Sequence, residues 1–142
     1  MRRLLIIEDI AAEAEILTRL YQMVRARFHG AVEIVNVPTW KDAVMIVETT
    51  RPDMVLCDLG LPDSHTDATV ASLGGVSSVW PPVMVITGHD EREKELRVDC
   101  IRKAGAQDFM LKKVAHRDPE QLAERLWHAW LRSEYAKEAH AT

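Results

Sequence analysis

The chain has 142 residues, 47% hydrophobic and 28% charged, with 18 Lys and Arg against 22 Asp and Glu for a net charge of −4. That length suits one domain with a single core, so 1–142 is expected to be one unit. The mild acidity argues against sequence-independent nucleic-acid binding, which depends on clustered cations.

Met1-Arg2-Arg3 precedes only Leu4 to Ile7 before Glu8 interrupts. Four apolar residues are too few for a signal-peptide core, and no apolar run reaches membrane-spanning length, so a soluble cytoplasmic protein without membrane attachment is expected. Leu4 to Ile7 reads as a first strand. A helix follows, with Ile16, Leu17, Leu20 and Val24 on one face. Val32 to Val37 partly alternates apolar and polar residues, as an edge strand does, and Trp40, Val44 and Val47 mark a second helical face. Met54 to Cys57 is apolar throughout, which suits a strand covered on both faces.

A third helix is predicted from about Asp67 to Leu73, stopped by Gly74-Gly75. Pro81-Pro82 introduces a fourth strand, Val83 to Ile86. The next helix runs from about Asp90 to Ala104 and ends at Gly105. The fifth strand is Phe109 to Leu111. Asp118-Pro119-Glu120 has the form of an N-cap, a first-turn proline and an acidic first turn, opening a last helix with Leu122, Leu126 and Trp130 inward. Five strands alternating with five helices predict a doubly wound α/β fold on a parallel sheet, because parallel strands need helical crossovers. Cys57 and Cys100 lie in apolar stretches without metal-ligand spacing, so no disulfide framework or zinc site is expected.

Four strands end alike. The first runs into Glu8-Asp9, the third into Asp58, the fourth into Thr87 and the fifth into Lys112. In an open parallel sheet these ends share one edge, where ligands bind. Each residue alone is an ordinary strand end; together they predict a charged pocket. Clustered carboxylates are costly unless a cation sits among them. Oxygen-only ligands in a site of this kind suit Mg²⁺, which shares its shell with phosphate. Lys112 is suited to neutralise one phosphoryl oxygen and Thr87 to hydrogen-bond another, while an aspartate is a known nucleophile for phosphoryl transfer. Asp58 is therefore expected to accept a phosphoryl group.

The segments LLIIED, VLCDLGLPD, VMVITG and GAQDFMLK resemble the receiver domain of bacterial two-component response regulators, over about residues 3 to 139. The resemblance implies the flavodoxin-like strand order 2-1-3-4-5, with Asp58 as phosphoacceptor. It implies that Glu8, Asp9, Asp58 and the carbonyl of Gly60 hold Mg²⁺, that Lys112 pairs with the phosphoryl group, and that Thr87 and Phe109 act as switch residues. The expected donor is a histidine kinase or histidine phosphotransfer protein. The output would be phosphorylation-dependent protein contact by a stand-alone receiver, with a homodimer through the fourth and fifth helices as one form. A non-switching adaptor and the N-terminal receiver of a longer regulator are the alternatives; a turnover enzyme is not expected.

Three positions depart from the family pattern. Lys113 stands where proline usually follows the lysine, and a cis bond before a non-proline residue costs about 2.5–4 kcal/mol, so either a trans peptide with a rearranged loop or a strained cis bond is predicted. Thr66 stands where glycine is common, and would be strained if the backbone there needs positive φ. The segment from Glu91 to Lys103 looks slightly long. Trp127 and Trp130, three apart, cannot both face fully inward, so one is expected either to line an exposed patch or to sit half covered at the helix edge. His65, His116, His128 and His140 lack ligand spacing and are expected to face solvent. Lys112-Lys113 with His116-Arg117 is expected at the pocket rim.

Overall fold

A computed structural model describes residues 1–28 and 30–141. Five parallel strands run in the order β2-β1-β3-β4-β5, with β1 at Arg3–Ile7, β2 at Glu33–Val37, β3 at Met54–Asp58, β4 at Val83–Thr87 and β5 at Asp108–Leu111. The order and the parallel pairing agree with the sequence reading. β3 and β4 are buried at every position, as their unbroken apolar runs require, whereas the edge strand β2 buries only Val37. The register sets Ile7 beside Cys57, Asp58 beside Ile86 and Thr87 beside Leu111, so the polar strand ends line up across the sheet.

One apolar cluster packs each face. The first joins Leu5, Ile7, Val55, Cys57, Val85 and Phe109 with α2 (Trp40–Thr50), α3 (Thr66–Val76) and the fourth helix. The second joins Leu4, Ile6, Leu56, Met84 and Ile86 with α1 (Ala11–Phe28) and α6 (Pro119–Ala141). Cys57 and Cys100 are free and buried in the first cluster. No described helix is long and apolar enough to cross a membrane.

Among the described residues there are six helices, not five. The fourth is composite: a 3₁₀ turn at Asp90–Arg92, α4 at Glu93–Val98, then a π turn at Asp99–Lys103 closed by the Ala104 amide donating to Asp99 O. This turn absorbs the length noted in the sequence. Gly105, at φ +79, ends the helix, and the Ala106 amide reaches back to Cys100 O. The additional helix, α5 (Lys112–Arg117), begins directly where β5 stops. No cis peptide occurs among the described residues, so Lys112-Lys113 is trans and the chain turns straight into α5.

Two expected helix details differ. The buried face of α1 is Ala14, Leu17, Tyr21 and Val24, while Ile16 is exposed. α3 passes through Gly74-Gly75 to Val76, with the Ser77 amide still donating to Leu73 O. Glycine costs a helix about 1 kcal/mol each relative to alanine, which the burial of Leu73 and Thr69 outweighs. Thr66 opens α3 without positive φ, so the feared strain is absent.

The Asp118 cap is formed, its Oδ1 accepting from the Gln121 amide at 3.1 Å. Trp127 and Trp130 are both half-buried, rings 5.0 Å apart, so the helix-edge alternative holds. His65, His116 and His128 are exposed; the His140 side chain lies outside the described residues.

Candidate functional site: an acidic pocket closed by one lysine

Glu8 follows β1 directly and Asp58 ends β3, so both stand at the sheet edge where the strand carboxyl ends meet. One oxygen from each of Glu8, Asp9 and Asp58 lies within 4.8 Å of the others. Glu8 and Asp58 are buried, while Asp9 is exposed. Burial, followed by the hydrogen bond and charge of Asp58, pushes the Glu8 carboxyl up to about 8, although Lys112 opposes this. The Gly60 amide donates to Asp58 Oδ1 at 3.3 Å.

Lys112, the first residue of α5, enters this group with only 12% exposure. Its ammonium lies 3.2 Å from Asp58 Oδ2, 3.2 Å from Glu8 Oε1 and 2.5 Å from Glu13 Oε2. Burial would depress the lysine, but the carboxylates of Glu13, Asp58 and Glu8 overcome it and raise the ammonium above the usual lysine range. Glu13 is correspondingly lowered, first by its bond to Lys112.

Glu8 Oε2 is also 3.0 Å from the lysine nitrogen, but off the hydrogen-bonding direction, and it is a buried oxygen without a hydrogen-bond partner. A buried, unpartnered carboxylate oxygen beside two more carboxylates is what a hard divalent cation needs, so the donor set fits Mg²⁺.

Thr87 is fully buried at the end of β4, and its Oγ1 accepts the His89 amide at 3.2 Å. Phe109 is fully buried too, its carbonyl bonded by Arg125 at 2.9 Å and Arg97 at 3.3 Å, and the Arg97 guanidinium lies 5.0 Å from its ring centroid. Lys113 points away to Asp90 Oδ2 at 2.6 Å, so of the two lysines only Lys112 joins the acids. His116 and Arg117 are exposed.

Of the residues expected from sequence, the structure draws Glu8, Asp9, Asp58 and Lys112 together and places Gly60 against Asp58. Three contributors escape a reading of strand ends alone. Glu13 reaches the pocket from the first turn of α1. The buried Thr69 hydroxyl ties Leu59 O (2.7 Å) and Ser64 Oγ (2.8 Å) to α3, bracing the loop that carries Gly60. His89 bonds Thr66 Oγ1 through Nε2 at 3.1 Å and Glu91 through Nδ1 at 3.1 Å, linking the start of α3 to the loop after β4.

The family model of the response regulator receiver domain matches residues 4–126. The chain belongs to that family. Receivers are signalling domains, not turnover enzymes, and are phosphorylated on aspartate with Mg²⁺ held in an acidic pocket; they interact with histidine kinases or phosphotransfer proteins.

Among solved structures, this receiver is 28% identical to a signal receiver domain ascribed to a Luxo repressor protein from Vibrio parahaemolyticus, covering 95% of this chain and 98% of that one with a TM-score of 0.68. A CheY-like receiver domain protein from Methanospirillum hungatei JF-1 is 21% identical over 91% of this chain and 96% of that one, with a TM-score of 0.69. The receiver domain of an HD domain-containing protein from Pseudomonas fluorescens Pf-5 is 14% identical, with coverage of 96% and 92% and a TM-score of 0.77. The last two likenesses show the fold alone. No curated protein matches this receiver in sequence.

Proposed function

We propose that this receiver takes a phosphoryl group on Asp58, in a Mg²⁺-dependent reaction, from a histidine kinase or histidine phosphotransfer protein. The observation that carries the reading is the Lys112 ammonium held between Asp58 and Glu8 at an edge where Asp9 also converges. Asp58 attacks the donor phosphorus, the donor's phosphorus–nitrogen bond breaks with the histidine imidazole leaving with the bonding pair, and an aspartyl phosphate results. Mg²⁺, held by the carboxylates of Glu8, Asp9 and Asp58 and the Gly60 carbonyl, would supply neutralisation of the charge on the transferred group. Lys112 then pairs with a phosphoryl oxygen. Thr87, whose oxygen accepts from the His89 amide, keeps its proton for another.

The output we assign is protein–protein contact by a cytoplasmic receiver. Val98 and Ile101 leave exposed apolar surface on the composite fourth helix, which suits a partner or a second copy seated there and along α6.

Intact mass after treatment with acetyl phosphate and Mg²⁺ tests the assignment: wild type gains a phosphoryl adduct and Asp58→Asn does not. An adduct that persists in Asp58→Asn removes Asp58 from the role. A second reading, a non-switching adaptor, is favoured by Phe109, which is already sealed inward and clamped by two arginines. A partner affinity that changes with beryllium fluoride and Mg²⁺ rules it out.

A further inference from the structure

An ammonium has three N–H donors and no more. In this pocket Lys112 spends them on Glu13, Glu8 and Asp58, and the Glu13 contact, at 2.5 Å, is the shortest. No donor is left for an incoming phosphoryl oxygen, so one carboxylate must let go. Glu8 is fully sealed, and Asp58 is the group to be modified. Glu13 is 30% exposed on the first turn of α1 and lies outside the three-carboxylate group that fits the metal. Water replaces its bond most cheaply.

We propose that Glu13 is a positioning residue that detains the Lys112 ammonium at the pocket rim, so that phosphoryl capture on Asp58 requires the Lys112–Glu13 pair to open. The inference rests on the receiver reading given above. Glu13 thereby sets how readily the pocket takes the group. The device differs from the residues that perform the transfer: Glu13 touches neither donor nor phosphorus, and acts through the lysine.

The test follows adduct formation by intact mass at limiting acetyl phosphate and saturating Mg²⁺. Glu13→Gln should react about two- to fivefold faster than wild type, the range that a part-exposed ion pair gives. Glu13→Asp keeps the charge but shortens the arm by one methylene, and should share the gain. Glu15→Gln, on the same helix but paired with Arg19, should react as wild type does. A rate for Glu13→Gln equal to or below wild type overturns the proposal. A gain confined to Gln and missing in Asp also overturns it, because net charge and not the contact would then be responsible. A merely structural pair would lower the urea midpoint of Glu13→Gln and leave the rate alone, which likewise counts against the proposal. Wild type that takes no adduct at all overturns the receiver reading itself, a separate result.

Discussion

Replacing Lys112 by Met keeps the length and apolar stem of the side chain and removes the single cation among Glu8, Asp58 and Glu13. Removing one member of a buried pair costs about 3–5 kcal/mol, because the remaining charge is left uncompensated. Here the cost is smaller, about 2–3 kcal/mol at pH 7. Glu13 is partly solvated, and Glu8, with its carboxyl pushed up to about 8, is already largely protonated at this pH. For a chain of this size that is roughly 6–9 °C in Tm. The deficit should shrink at pH 5, well below the raised Glu8 value, where that carboxyl is fully protonated. Mg²⁺ should stabilise the variant by more than it stabilises wild type, since the competing ammonium is gone; at a hundredfold excess over Kd, binding adds about 2.7 kcal/mol. Urea denaturation in EDTA and in Mg²⁺, at both pH values, reads all three effects. A Lys112→Met protein as stable as wild type in EDTA at pH 7 would refute the reasoning, because the three acids would then not depend on the lysine.

The Glu8 shift gives a pH dependence with a definite sign. Its folded value, about 8, lies above its ordinary 4.5, so the stability it contributes is complete below about 4.5 and is lost as pH rises toward 8. Glu8→Gln should flatten that part of the metal-free stability profile, and an unchanged profile in chemical denaturation contradicts the assignment. Thr69→Val replaces a fully buried hydroxyl by a methyl group and leaves Leu59 O without its 2.7 Å donor. A loss of about 1–3 kcal/mol is expected, together with weaker Mg²⁺ binding as the Gly60 loop loosens; calorimetric titration with Mg²⁺ checks the second effect.

The pocket was legible because each of its strand-end residues closes an apolar run, and a parallel sheet gathers such ends at one edge. Lys112, Asp58 and Glu8 meet for that reason alone. Glu13 also carries a signal: four residues past Asp9 it stands one turn inside α1, above the same edge. The phase of α1 was harder to read, because Ile16 is the more hydrophobic residue, yet Ala14 and Tyr21 fix the buried face. Gly74-Gly75 read as a stop, but a helix ends where the backbone turns left-handed, as at Gly105, and nothing local separates the two cases without the packing of Leu73. α5 had no advance sign, since Lys112-Lys113 differs from the family only in lacking a proline.

The π turn at Asp99–Lys103 has a consequence for any transfer of knowledge onto this surface. An extra residue swallowed inside a helix rotates everything beyond it by about 100° relative to an uninterrupted one, while both ends stay anchored, here at His89 and Gly105. Counting forward from β4 and counting backward from β5 therefore assign different neighbours to the same stripe. The apolar pair Val98 and Ile101 straddles that seam. A partner reading this helix meets the regular turns of α4 and then the wider π turn that ends it.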